Sequence, residues 1–347
     1  MIIYHVINSL GTGGAERLVV DLAFEGIKQG HDVRILLLKD DIGIPRERAL
    51  NLAIPIKVVG KSLKDPRIPH RIRKMTRDAD VIHVHLFPAL YWVAKINKPK
   101  VFTEHSTNNR RIGNPMFLRL ERWAYSGYER TVAISPGVED ALKEHFSKAK
   151  ISTEITMISN GISENFFNGE RAYSKNPKRI VSVGSLTPVK QHELAIEAVS
   201  LLEDVTLQIA GEGKMREFLL EKIEELGVSH KVELLGNVEA ISELLHQNDL
   251  FLSTSKFEGF GLAALEAQAT GIPVVGPNVA GFRDVVLNGK SGVLFDSYNP
   301  REIAETIRKT LQPDLYLSLS SNSRKNAENY AVRDTFLKLL DLYREIE

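Results

Sequence analysis

The chain of 347 residues has no cysteine. That excludes disulfides, thiolate-bound metals and a cysteine nucleophile, and it fits a reducing cytoplasm. No segment approaches the ~18 consecutive apolar residues of a membrane span. Aromatics are scarce, 7% of residues against 43% hydrophobic overall, so aliphatic side chains must build the core, as in α/β proteins. The N-terminal MIIYHVINSL enters a strand directly and lacks the basic region of a signal peptide. Net charge nearly cancels at +1, yet residues 1–165 hold 25 basic against 18 acidic residues and residues 166–347 hold 20 against 26. The first half is therefore expected to face something acidic, and no nucleic-acid partner is expected. Length alone points to about two domains.

What is present is an alternation of short apolar runs and helical spacings, the pattern of doubly wound parallel sheets. Its most informative stretch is FEGFGLAALEAQATGIPVVGP, Phe257 to Pro277. Leu250–Leu252 before it reads as a buried strand. Gly259 and Gly261 permit a sharp turn with uncovered N–H groups, and a helix starts near Leu262. Bare amides at the positive end of a helix form an anion site, typically for phosphate. Glu258 and Glu266 bracket the turn. Glu266, about one turn into the helix, can hydrogen-bond a sugar hydroxyl beside that phosphate.

The start of the chain repeats this layout. Ile2–Ile7 reads as a strand, GTGG follows at Gly11–Gly14, and Ala15–Gln29 has helical apolar spacing. The dinucleotide fingerprint is absent, because its third glycine and the acid ending the next strand are missing. Glu16 and Arg17 open this helix, as ligand contacts or as a solvated first turn. Lys57 to Arg77 carries eight basic residues against one acid, Asp65: a solvated face, or a patch for an anionic membrane surface. His83 and His85 share one strand face by period two; one packs, and His85, nearer the strand's end, lines the cleft. His105 lies at the tip of the next strand, Lys100–Thr103, where ligands of parallel sheets bind. Asn108–Arg122 is amphipathic and reads as an acceptor or membrane contact, or as a helix packed on its own domain.

The Glu258-to-Glu266 string resembles the Glu-x7-Glu signature of the retaining family 4 glycosyltransferases (glycosyl transferases group 1). The resemblance spans nearly the whole chain and is strongest from 178 to 295. It implies the GT-B fold: two Rossmann-like doubly wound domains facing across a cleft. Residues 1–165 would be the acceptor-side domain, 166–177 a linker, 178–332 the nucleotide-sugar domain, and 333–347 a final helix crossing back onto the first. Asn160-Gly161 matches the turn that closes the N-terminal domain.

The resemblance also implies roles. Gly13 and Gly14 approach the donor diphosphate, with Glu16, Arg17, His85 and Asn108 on the acceptor side. His105 contacts the transferred sugar. Lys190 clamps the diphosphate, while Ser185 stands where the family usually places an arginine, leaving the clamp one charge short. Gly211 follows the second strand of the second domain, and the Asn237 and Val238 backbone frames the base. Gly259, Phe260, Gly261 and Leu262 meet the phosphates, Glu266 the ribose and Glu258 the sugar. Asp78-Ala-Asp80 spells a metal-holding pattern of a different glycosyltransferase fold, but it reads as structural here. No metal and no cofactor are expected.

The expected activity is retaining transfer of a hexose or N-acetylhexosamine from a nucleotide sugar, UDP before GDP, to a glycan or lipid-linked acceptor. Bacterial surface-polysaccharide synthesis in the cytoplasm, or peripherally on the inner membrane face, is the expected setting. The alternatives are a non-catalytic nucleotide-sugar binder and a sugar-nucleotide epimerase of the same layout.

Overall fold

The structure, a computed structural model, describes residues 1–106, 117–169, 174 and 176–347. It divides into two compact units, Met1–Gly161 with Val332–Glu347, and Ile162–Ala331.

The first unit is built on seven parallel strands: β1 (Ile2–Ile7), β2 (Asp32–Lys39), β3 (Ile56–Gly60), β4 (Val81–His85), β5 (Lys100–Glu104), β6 (Arg130–Ala133) and β7 (Glu154–Met157). Their order is β3-β2-β1-β4-β5-β6-β7. The strands are nearly continuous aliphatic runs because helices cover both faces of such a sheet. Chain order reverses direction between β1 and β4, so the loops leaving them diverge and open a crevice at the strand tips. In that central pair His5 lies opposite His83, and His85 lies opposite Thr103 in the next.

The helix Gly14–Lys28 buries Leu18, Val19, Leu22 and Ala23 on this sheet. The last helix, Val332–Ile346, buries Phe336, Leu339, Leu340 and Tyr343 in the same core. Gly26 makes room for it: a Cβ there would stand 2.9 Å from the Phe336 ring and 2.7 Å from Val33. Ser135 caps the helix Pro136–Ala149 by accepting from the Val138 N–H.

The second unit has six parallel strands: β8 (Arg179–Val183), β9 (Thr206–Ala210), β10 (Val232–Gly236), β11 (Leu250–Leu252), β12 (Val274–Pro277) and β13 (Gly292–Phe295). Their order is β10-β9-β8-β11-β12-β13, so the reversal falls between β8 and β11. The Lys190 turn follows β8 and the Glu258 loop follows β11. Both therefore leave the sheet at its crevice.

The change of unit comes earlier than the linker placed at 166–177. Ile162 bridges Ala331, its N–H donates to the Tyr330 carbonyl, and a 3-10 turn at Glu164–Phe167 buries Phe166. An apolar Phe within a polar stretch anchors what composition reads as linker. No helix among the described residues is long and apolar enough to cross a membrane.

Candidate functional site

The turn after β11 is held open by geometry that only glycine tolerates well. Gly261 has φ +87° and forms the N-cap of the helix Leu262–Ala269. Gly281, at φ +80°, backs the same loop, and a Cβ on it would stand 2.4 Å from the Glu258 carbonyl oxygen. Helix geometry leaves the N–H groups of Leu262 and the next residue without intrahelical acceptors. They point out of the helix end with the positive pole of its dipole. Phe260 turns inward, 4% exposed, against Tyr330, so it can offer a ligand only its backbone. Glu266 is buried within the helix at 5% exposure.

Lys190 reaches this turn from the other loop. Its Nζ donates to Glu258 Oε1 at 2.6 Å, and the two side chains are 24% and 16% exposed. Its stem lies along Gly184, where a Cβ would stand 3.4 Å from the Lys190 Cε. The Lys190 loop is pinned to the β11 loop at three points. Thr254 Oγ1 lies 3.0 Å from the Lys190 carbonyl and 2.8 Å from the Gln191 carbonyl, and the Lys256 N–H donates to the Val189 carbonyl. Sequence reasoning named the lysine and the glutamate separately, 68 residues apart, and missed Thr254.

It also missed His192. This ring is buried and faces Ser182 Oγ at 3.3 Å, beside the turn at Gly184 and Ser185. Burial and the nearby Lys190 charge push it down to about 4, so it supports the turn as a neutral ring. Gly211, at φ +149°, backs that turn: a Cβ there would lie 2.0 Å from the Gly184 carbonyl oxygen. Ser185 is exposed at the turn. Asn237 is exposed and Val238 half-buried just beyond β10, where Gly236 accepts from the Gly211 N–H at 2.7 Å.

In the first unit the Gly-rich turn is occupied by its own helix. The Glu16 carboxylate folds back so that a Cβ on Gly13 would lie 2.2 Å from it. Gly13 is the N-cap and Gly14 the first helical residue. Burial and the nearby Asp41 charge hold the Glu16 carboxyl above its usual range. Glu16 thus sits at the helix end where sequence reasoning places diphosphate. Arg17 is half-buried in the first turn.

His105 stands half-buried just past the tip of β5. Its Nε2 lies 3.2 Å from His85 Nδ1, and His85 Nε2 lies 3.0 Å from His5 Nδ1. His85 is fully buried, which corrects its expected place in the lining. The strand's last residue is covered by its neighbours, so it forms the layer beneath His105. His83 is held by Tyr343 Oη at 2.5 Å and Thr103 Oγ1 at 2.6 Å. Burial pushes His5 and His105 down to about 4 and the other two well below the ordinary imidazole range, leaving all four neutral near pH 7. Asn108 lies outside the described residues.

Asp78 accepts from Arg34 and Tyr4, and Asp80 accepts from the Ile2 N–H. Both carboxylates thus tie the sheet's start together. The basic stretch is partly self-neutralised, since Asp65 takes Arg67 and Arg71. Its Arg71 and Lys74 line, with Lys57, Arg77 and Arg34, a cavity of about 690 Å³.

Comparison with known proteins meets both units. A model described as Glycosyltransferase Family 4 matches residues 12–166, and one described as Glycosyl transferases group 1 matches residues 164–332. A glycogen synthase of Mycobacterium tuberculosis is 30% identical over 256 residues, 67% of this chain and 61% of that protein. The chain thus spans about three fifths of that relative. An uncharacterized glycosyltransferase of Methanocaldococcus jannaschii is 32% identical over 259 residues, 67% of this chain and 66% of its own. Among solved structures, Anabaena HepE in complex with UDP-glucose superposes with a TM-score of 0.86 at 21% identity, over 99% of this chain and 100% of that one. A Rickettsia africae glycosyltransferase gives 0.83 at 22%, over 99% and 98%. With both halves matched and two parallel-sheet units in place, the chain belongs to the glycosyltransferases of group 1 and family 4, with the GT-B fold.

Proposed function

We propose that the protein transfers a hexose or N-acetylhexosamine from a UDP-sugar to a glycan or lipid-linked acceptor, with retention of anomeric configuration and without a metal. The observation that carries this reading is the Lys190–Glu258 pair at the N-terminus of the Leu262–Ala269 helix. A sugar–diphosphate bond breaks only if the departing diphosphate is neutralised. Here a lysine, exposed amides and a helix dipole converge on one point, and such preorganised donors are worth about 3–4 kcal/mol each in a transition state.

In the reaction the bond from C1 to the diphosphate oxygen breaks, and the acceptor oxygen bonds to C1 on the same face. The acceptor's proton passes to the departing diphosphate oxygen. Glu258, released from Lys190 when the phosphates arrive, orients the sugar. Glu266 holds the ribose, and His105, neutral, donates a hydrogen bond to the sugar. The UDP-glucose held by the Anabaena relative supports a UDP donor. A cytoplasmic site, free or peripheral at the membrane, and a role in surface polysaccharide assembly fit the basic first half of the chain.

A non-catalytic nucleotide-sugar binder is the second reading, favoured by Ser185 in place of a cation. A panel of UDP- and GDP-sugars, screened by thermal shift and then by transfer to glycan and lipid-linked acceptors, tests both. Stabilisation by a UDP-sugar with product formed supports the transferase. Binding without turnover across the panel sinks it in favour of the binder.

A further inference from the structure

We propose that His5 and His85 are positioning residues that set the tautomer of His105, so that His105 presents an Nδ1–H donor away from the sheet. The three rings form one hydrogen-bonded row, His5 Nδ1 to His85 Nε2 at 3.0 Å and His85 Nδ1 to His105 Nε2 at 3.2 Å. It runs from a fully buried residue of β1 to the half-buried tip of β5.

A neutral imidazole has one N–H donor and one bare acceptor nitrogen. Along the row each contact needs one of each, so only two arrangements exist. In one, every ring carries its proton on Nδ1 and donates outward, from His5 to His85 to His105. In the other, every ring carries it on Nε2 and donates inward.

The inner end decides between them. Among the described residues His5 Nε2, which is buried, has no hydrogen-bond partner. The inward arrangement would strand an N–H there, whereas the outward one leaves only a bare acceptor. Orphaned buried N–H groups are the rarer and costlier case. The row therefore points outward. His105 Nε2 is occupied as an acceptor, and its Nδ1 carries the proton.

A cation does not account for this cluster as well. Nitrogens of His5, His83 and His85 lie within 4.8 Å of one another. Yet both nitrogens of His83 are engaged by Tyr343 and Thr103, and the contact between His5 and His85 has hydrogen-bond length.

The inference rests on the proposed transferase reading for its catalytic meaning: a fixed Nδ1–H can donate to a sugar hydroxyl or to developing negative charge, and the opposite tautomer cannot. The tautomer itself is open to direct measurement. In the full chain labelled with 15N-histidine, the resonances of His105 are identified by their loss in His105→Gln. A protonated Nδ1 and a bare Nε2 are expected; a protonated Nε2 on His105 in the wild type overturns the proposal, whatever the activity.

Two variants then test the coupling. His5→Leu removes the inner donor, so the His105 signals should lose their single tautomer. Turnover should fall about tenfold, the worth of one hydrogen bond, at unchanged donor KM. His5→Asn keeps an amide N–H where His5 Nδ1 stood, and should restore both. Equal loss in Leu and Asn variants, with the His105 tautomer intact in each, refutes the relay. If no donor and acceptor pair is turned over at all, the transferase reading fails while the spectrum still decides the tautomer.

Discussion

Replacing Lys190 with alanine tests the centre of the site. Its ammonium pairs with Glu258, 2.6 Å away, with both side chains at least three-quarters buried. On the proposed reading, the diphosphate of a bound donor takes the lysine from the carboxylate. The same residue then faces the charge that grows as the sugar leaves. Losing one such donor costs about 2.7–4 kcal/mol in the transition state, roughly a 100- to 1,000-fold fall in kcat. Glu258→Gln should act differently on the ground state. It frees Lys190 from its competitor, so UDP alone should bind about fivefold tighter, near 1 kcal/mol for a partly exposed pair. Turnover should still fall, because the group that orients the sugar has become weaker. Calorimetric titration with UDP and a release assay for the nucleoside diphosphate separate the two effects. Lys190→Ala at near-wild-type turnover, or Glu258→Gln binding UDP more weakly than wild type, would refute the exchange of partners argued from this pair.

Three further outcomes follow from the same structure. EDTA should leave transfer largely intact if, as proposed, Lys190 and the Leu262 helix end supply the neutralising charge; complete loss restored by Mn would return attention to metal. His5, His105 and His192 titrate near 4 in the folded protein against 6.5 ordinarily, and His83 and His85 lie well below, all through burial. The unfolded chain then binds more protons, so stability is full above pH 6.5 and falls towards pH 4, by about 1.4 kcal/mol per pH unit per histidine. Glu16 and Asp21, raised by burial, oppose that slope with two groups against six, His31 being lowered as well, and a urea midpoint that rises on acidification from pH 7 to 5 would contradict it. Gly211→Ala should destabilise by about 1–3 kcal/mol or more and loosen UDP binding, since its φ is +149° and the added methyl meets the Gly184 carbonyl; thermal melting with and without UDP measures both.

Much of the architecture was legible because it is written locally. Aliphatic runs mark the strands, Ser135 caps its helix, and Gly261, read as permitting a sharp turn, takes a left-handed conformation at the helix start. The glycine turn that opens the Leu262–Ala269 helix was legible for the same reason, being one contiguous string. What escaped was everything that depends on strand order. Period two puts His83 and His85 on one face, but only the placement of β1 beside β4 adds His5, and only the returning last helix adds Tyr343. Its place near the strand's end made His85 a lining group, whereas the surrounding strands and rings bury it. The meeting of Lys190 with Glu258 likewise needs β8 and β11 to be neighbours.

That returning helix has a consequence for synthesis. Tyr343 hydrogen-bonds His83, and Phe336 fills the space above Gly26, so the first unit's interior includes residues made after the whole of the second unit. The second unit, Ile162–Ala331, is uninterrupted and can finish as soon as it leaves the ribosome. The first must wait, with part of its apolar helix face bare, until residues 332–347 have been made. Nascent chains halted just before residue 332 should therefore carry a settled second half and a first half that proteases still cut.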